Sequence, residues 1–565
     1  VRASRNPDLV ALAVYSVLVC VWTWPLVTGA TPLPARNFDA FCVQWVAAAA
    51  TRLDLTMTDP LSQWPFGNSL ARSDSLIYLL VARLLTPLLG VDGLVNSLGL
   101  VGQVVSAWAA ERLARQVYAV PSPWSLVAGL AYAFTGLGAT MVLEGHVYLL
   151  LAPWLPLLVG ALQGLDLNRD ARAGLVVLAW WTLCLLTSAY TGIAASLVVA
   201  VWGMHAVWSG RVWTAAWGSF TLGALFVGGL YTAVFVAAPD DPLGLDLGNR
   251  AAGSQMLHGS ARLGLLVGWS PAVDLDGHSF WPSLAVGALA LALYARWAPA
   301  APGRVLAATA AALLLALGPQ IDAYRPDDVG FPWLLSPFAE VAGNFFRFPS
   351  RLLPVASLGL GIVAAGVLAH LAERLPRAAT VYGGALLVEA AVAGGLPFRT
   401  RAFEGSLPAA YHAAPAGWAV LDLTPVFAGP GEVDLAFYFD RLGCRWQALH
   451  GRPTLAQCVD TRPYAGVAHA VSMEVGSRLL EERTGDLADA LRAVGIGSVG
   501  VRPDLYPRQD REQIVSGLEA ALGPVAAVSS NGGEALALWT VPGAEGEPPP
   551  QPGRVSALAS LLEGR

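Results

Sequence analysis

Lysine is absent: all 34 basic residues among the 565 are arginine. Charge of either sign is scarce. Asp, Glu and Arg make up 13% of the chain, against about 25% in an ordinary soluble domain. With 55% hydrophobic residues and a mean hydropathy of +0.54, the chain is a poor fit to a soluble protein. That reading would require every apolar run to be a buried helix of one large core. Cysteine is rare, and no CxxC or HExxH spacing occurs, which removes the usual zinc sites. No basic patch marks a soluble segment, so nucleic acid is not an expected partner. No internal repeat is found, so inverted-repeat transporters gain no support. The missing lysine, with abundant Ala, Gly and Pro, reads as a GC-rich coding bias. The net charge of −6 says little, because the positive residues gather at span boundaries.

Long apolar runs are plentiful. They fall at 9–27, 94–111, 125–142, 147–164, 173–188, 191–207, 214–236, 283–295, 305–318, 352–371 and 379–395, each near the ~17–25 residues of a membrane helix. The fold class expected is therefore a polytopic α-helical membrane protein of about 11 transmembrane helices. Alternate gaps carry Arg2 and Arg5, Arg112 and Arg115, Arg169 and Arg172, Arg211, Arg296 and Arg304, and Arg374 and Arg377. The positive-inside rule makes those gaps, and the N-terminus, cytoplasmic. The first apolar run exceeds the ~7–15 residues of a signal h-region, so a retained helix is expected.

The outer loops are then 28–76, 237–282 and 318–350. In the first, Ala40 to about Met57 reads as a helix lying along the interface with Trp45 at headgroup level. Residues 76–90, broken by Pro87, read as a re-entrant or interfacial helix. The transmembrane part is expected to span 1–395. After it the composition changes, and 396–542 reads as a small extracytoplasmic α/β domain. Trp418 to Leu423 and Ser498 to Arg502 read as strands, and Leu479 to Val494 and Arg511 to Leu522 as helices. Val525 to Val528 and Ala535 to Val541 read as strands flanking the hairpin signal Asn531-Gly532-Gly533. Residues 543–565 form a Pro/Gly-rich tail, disordered to Arg554 with a weak helix after it. Cys444 and Cys458 fall in the external segment, where they form a disulfide or remain two small core residues.

The polar residues cluster at the outer ends. Asp39 follows the first span, where a carboxylate can serve as general base for an acceptor hydroxyl; it can equally cap the helix it precedes. Asp74 is a second outer carboxylate with the same two readings. Glu144 and His146 stand on a tight outer turn, lining a cavity or solvated at a helix end. Arg347 and Arg351 flank Pro349 at the outer end of a span. Their forks match phosphate oxygens, though headgroup snorkelling or an ion pair would also place them there.

Taken in order, these pieces resemble the GT-C class of membrane glycosyltransferases, in particular a bacterial group that includes YfhO-like proteins. The resemblance runs over most of the chain. It rests on Phe38-Asp39, Trp64-Pro-Phe-Gly67, Gly145-His146 with Ala152-Pro-Trp-Leu-Pro156, and Leu317-Gly-Pro319. Arg347-Phe-Pro-Ser-Arg351, Val420-Leu-Asp-Leu-Thr-Pro425 and His450-Gly-Arg-Pro453 complete it. It implies transfer of a sugar from a polyprenyl-phosphate or pyrophosphate donor, on the outer face of a bacterial cytoplasmic membrane, to a glycan, lipid or protein acceptor. By the same resemblance Asp39 would activate the acceptor, Arg347 and Arg351 would neutralise the leaving phosphate, and Asp74, Glu144 and His146 would bind substrate. The chain departs from some members at Asp39, which is followed by Ala40 rather than a second acid. The spacing Asp274-Leu-Asp276 occurs in a later loop only, so no ligand motif supports a divalent metal and metal dependence stays open.

A transporter or flippase of a lipid-linked substrate would need charged or broken mid-span sites. Glu389 is a notable ionisable residue within a span, and His205 and His370 lie near cytoplasmic ends. A non-catalytic envelope scaffold would tolerate loss of Asp39 and both outer arginines.

Overall fold

The computed structural model describes residues 6–24, 39–53, 58–59, 61, 68–70, 75–134, 153–167, 169–235, 303–318, 320–321, 331–332, 349–393, 407–423, 443–444, 446–455, 467–531 and 534–563. Helix α1, Pro7–Trp22, starts where the Asn6 side chain accepts from Asp8 N and Pro7 supplies a pre-set φ. Helix α2, Asp39–Ala50, is the first-loop helix. Helix α3, Leu76–Gln116, is capped by Ser75 and broken at Gly90, whose φ of 69° and ψ of 171° turn the chain without ending it. Helix α4 is Leu126–Ala133 and α5 is Trp154–Leu167. Helices α6, Ala171–Thr187, and α7, Ala189–Trp208, meet at Ser188, whose extended backbone closes one and whose side chain caps the other. Then come α8, Ala215–Phe235, α9, Gly303–Ala316, α10, Leu353–Arg374, and α11, Pro376–Ala393.

Each expected span on described residues carries a helix; the run 283–295 lies outside them, and α4 covers only the first part of 125–142. Three described helices are long and apolar enough to cross a membrane: Leu76–Gln116, Ala189–Trp208, and α10 with the 3-10 turn Pro349–Leu352 that leads into it. Helix α10 is the centre of the bundle. It packs on α4, α9 and α11, and its faces touch through small residues. A Cβ on Gly361 would come 2.6 Å from Ala131 Cβ, and one on Gly359 would lie 1.9 Å from Thr309 Oγ1. Such contacts bring apolar helices close where no water drives association. On α8, Leu222, Leu225, Phe226 and Leu230 share an exposed apolar face, the pattern of a side turned to lipid.

One end of the bundle is locked by a charged network. Arg115 donates to Glu111 Oε1 at 2.8 Å and to Asp8 Oδ1 at 2.5 Å, and Ser125 donates to Glu111 Oε1 at 2.8 Å. Glu111 is buried, so each of its contacts offsets desolvation. Arg115 is one of the arginines of the alternate gaps. The opposite end carries the break in α3, the Ser188 turn, the start of α10 and the contact with the C-terminal segment.

That segment has a four-stranded mixed sheet ordered β5-β6-β8-β7: Ala419–Leu423, Ile496–Val501, Glu534–Thr540 and Ala527–Asn531, respectively. The first pair is parallel, the others antiparallel, and Asn531 faces Glu534 at the hairpin. Short two-residue strands, β1 Thr58–Asp59 with β2 Asn68–Ser69 and β3 Gln320–Ile321 with β4 Phe331–Pro332, tie the loops. The expected single helix over 479–494 is two: α12, Val467–Leu480, and α13, Leu487–Val494. Glu482 at φ 57° breaks the path between them, and Leu487, Leu491 and Val494 set α13 against the sheet. Helix α14 is Arg508–Leu522. The stretch read as disordered is docked. Trp418 Nε1 donates to Gly546 O at 3.0 Å, and α15, Gln551–Glu563, buries Leu558 and Leu561 in the same core.

Candidate active site

Of the six residues singled out, the structure describes two. Arg351 sits in the turn that opens α10, with its guanidinium carbon 4.3 Å from the ring centroid of Tyr190. Tyr190 stands in the first turn of α7, where Ser188 Oγ accepts from its backbone N. Stacking on an aromatic face orients an arginine fork while keeping its charge. Asp39 is placed by its backbone as the first residue of α2; its side chain is outside the described residues. Asp74, Glu144, His146 and Arg347 lie outside them too, as do Asp274, Asp276 and Cys458. Among the described residues, no group of three or more His, Cys, Asp or Glu could hold a metal ion. Cys444 is disulfide-bonded, whereas Cys20 and Cys184 are free thiols.

Helix α2 does not lie loose at an interface. It ends at Ala50, short of Met57, and Trp45 is wholly buried instead of standing at headgroup level. From Val43 to Ala50 every residue but Gln44 is apolar, so the helix seeks cover on more than one side. The first half of α3 covers one side: Tyr78 Oη donates to Val43 O at 2.8 Å, Thr86 Oγ1 to Ala47 O at 3.2 Å, and Gln44 Nε2 to Asp92 Oδ1 at 3.0 Å. The C-terminal segment covers another. Trp45 Nε1 donates to Gln447 Oε1 at 2.8 Å, and Arg52 Nη2 to the same oxygen at 3.2 Å. Arg52 also pairs with Asp59 through two 3.3 Å bonds, and Asp59 is fully buried. Thr454 N donates to Leu61 O at 2.8 Å, and Val420 N to Pro453 O at 2.9 Å. A ladder of backbone bonds thus runs from the first loop into β5.

Behind this contact lies a buried polar cluster. Tyr411 Oη donates to Asp422 Oδ1 at 2.5 Å, and the Arg502 guanidinium lies 4.1 Å over the Trp446 ring. Gly500 on the neighbouring strand leaves the room: a Cβ there would lie 2.8 Å from Asp422 Oδ1. Burial raises the Asp422 carboxyl above its ordinary value, opposed by Arg502 and by the Tyr411 hydroxyl. His450 stacks at 5.0 Å on Tyr411. Its pKa is pushed down to about 3 by burial and by the Arg452 and Arg52 charges.

Sequence reasoning singled out neither Gln447 nor Tyr190. Gln447 had a local signal: it stands three residues before His450 on one helical face, ahead of Gly451 and Pro453. Its partners, however, lie about 400 residues away in sequence, and no local pattern records them. An apolar groove of about 880 Å³ opens between α1, α4, α10 and α11, with Leu18, Trp22, Leu130, Phe134 and Leu387 in its wall.

No family model and no curated protein matches the chain. Among solved structures it is similar to the arabinofuranosyltransferase AftD from Mycobacteria, at TM-score 0.57 and 17% identity over 95% of this chain and 40% of that one. A point mutant of AftD gives TM-score 0.57 at 15% identity, over 95% and 42%. The chain shares the fold of AftD, a GT-C arabinofuranosyltransferase. It spans about 40% of the length of AftD. At this identity the likeness concerns the fold, and the fold alone does not carry an activity across.

Proposed function

We propose that this chain is a glycosyltransferase. It moves a sugar from a polyprenyl-phosphate or pyrophosphate donor to a glycan, lipid or protein acceptor on the outer face of a bacterial cytoplasmic membrane. The AftD-like fold over 95% of the chain carries this reading. Asp39 acts as general base, taking the proton of the acceptor hydroxyl as its oxygen attacks the anomeric carbon. The bond to the donor phosphate breaks, and Arg347 and Arg351 neutralise the phosphate that leaves, a stabilisation that grows as charge develops. Asp74, Glu144 and His146 bind the sugar or acceptor. Two observations support this assignment: α2, which begins at Asp39, is held on two sides by hydrogen bonds, and Arg351 is oriented on Tyr190. The apolar groove suits the donor's hydrocarbon tail, since its wall is almost free of polar atoms.

The test compares wild type with Asp39→Asn in reconstituted membranes, using labelled polyprenyl-phosphate sugars with arabinofuranose first. Wild-type transfer, abolished in an equally folded variant, is expected. Equal transfer by both would reduce Asp39 to a helix cap. No transfer by wild type from any donor would remove the enzyme reading. Adding a chelator to the same assay reads metal dependence directly.

A further inference from the structure

The contact between α2 and the C-terminal segment holds more donors than acceptors. Gln447 is fully buried, and its Oε1 accepts from two groups that can only donate, Trp45 Nε1 and Arg52 Nη2. This fixes the amide, because the reversed orientation would set donor against donor. The amide nitrogen then points away from α2, and Gln447 Nε2 is buried with no hydrogen-bond partner. A buried donor left unmade costs about 1–3 kcal/mol. One turn further, His450 Nδ1 accepts from Arg452 N at 3.0 Å. The ring is neutral, so its proton sits on Nε2, which becomes another donor. Gly451 at φ 66°, with its N bonded to Gln447 O at 2.9 Å, reverses the chain so that Arg452 follows directly. The Arg452 guanidinium is partly buried and makes no ion pair or side-chain hydrogen bond among the described residues.

Two buried carboxylates among the described residues, Asp59 and Asp422, are already engaged. Asp59 is bound by Arg52 and by Leu61 N, and Asp422 by Tyr411. Gln447 Nε2, His450 Nε2 and the Arg452 fork are therefore donors carried on one short segment, and among the described residues no anion meets them.

We propose that Gln447, His450 and Arg452 form an oxyanion-binding site at the contact between α2 and the C-terminal segment, and that its ligand is a phosphate group. Arginine's planar fork favours two oxygens of one phosphate, and a neutral imidazole N–H and an amide N–H complete a donor-only cradle. Binding there supplies the acceptor that the buried Gln447 amide lacks, and it bridges the first-loop helix to the C-terminal segment. The site shares no residue with the Arg351–Tyr190 pair, and it stands whether or not the chain transfers sugars.

The experiment measures binding to the full chain in lipid-free detergent micelles by calorimetry, with no sugar donor or acceptor present. The probes are inorganic pyrophosphate and a short-chain prenyl phosphate. Wild type is expected to bind at least one. Binding of pyrophosphate shows that a free phosphate suffices, and binding of the prenyl phosphate alone shows that the phosphate must be lipid-borne. Arg452→Gln, which breaks no side-chain bond among the described residues, should weaken binding by about tenfold or more, the scale of one charge-assisted hydrogen bond. Arg492→Gln, a control at an arginine that pairs with Asp489 and Pro542 O instead, should bind as wild type does. Failure of wild type to bind either probe would overturn the proposal, as would unchanged affinity in Arg452→Gln or an equal loss in Arg492→Gln. Sugar transfer can fail in its own assay without touching this result.

Discussion

At the scale of single residues, the bundle depends on side chains that are not there. Gly359 on α10 faces α9 so closely that a Cβ would stand 1.9 Å from Thr309 Oγ1 and 3.1 Å from Val305 Cγ1. Gly359→Ala must push the helices apart, and overpacking of this kind costs typically about 1–3 kcal/mol. Thr309 Oγ1 is buried and has no hydrogen-bond partner, so Thr309→Ala gives up no bond and opens space at the point of collision. The expected order of thermal stability is therefore wild type and Thr309→Ala together, the double variant Gly359→Ala/Thr309→Ala next, and Gly359→Ala lowest. Thermal unfolding in one detergent decides it. A double variant no more stable than Gly359→Ala would mean that the hydroxyl is not the obstacle.

At the scale of elements, what the sequence made legible depended on whether the cause was local. A membrane helix announces itself by its own apolar run, so α6, α7, α8 and α10 fall where 173–188, 191–207, 214–236 and 352–371 were expected. A break is harder to place. Pro87 was the evident breaker before 94–111, yet the helix runs through it and turns at Gly90. Proline removes one hydrogen bond, whereas only glycine enters φ 69°, ψ 171° without strain. Length and cover were not legible for α2, because Trp45 finds Gln447, and Gln44 finds Asp92, only in the folded chain. The candidate site shows the same division. Arg351 was singled out by its place outside the arginine-rich gaps, while Tyr190 beneath it left no trace in spacing. These causes can be separated by two substitutions. A Cβ on Gly90 would meet nothing within 4 Å, so Gly90→Ala tests backbone strain alone, and a loss on the order of 1–3 kcal/mol is expected. Pro87→Ala should leave stability equal or raised. Unfolding midpoints in the opposite order would place the functional break at Pro87.

At the scale of the whole molecule, the C-terminal segment is joined to the helical bundle by a contact whose charge balance depends on pH. Two groups there respond with opposite signs. His450 is held down to about 3 by burial, then by Arg452 and Arg52, so the folded protein keeps it neutral while the unfolded chain protonates it near its ordinary 6.5. The unfolded state thus binds the extra proton below pH 6.5, and the stability His450 contributes, complete above that value, is lost as pH falls toward 3. Asp422 is raised by burial, so its contribution is present at low pH and is lost as pH rises from its ordinary 3.8 through its folded value. The total slope mixes the two, and the difference between wild type and His450→Gln isolates the first. Between pH 7.5 and 5.5, wild type should lose about 1.4 kcal/mol more than the variant, the effect of about one pH unit below the ordinary histidine value. The measurement is chemical unfolding of both proteins in phosphate-free buffer, since an anion beside His450 would raise its pKa and shrink the difference. Parallel stability curves across that range would show that His450 takes up its proton as readily in the folded protein as outside it. The burial of the contact between α2 and the C-terminal segment would then be wrong.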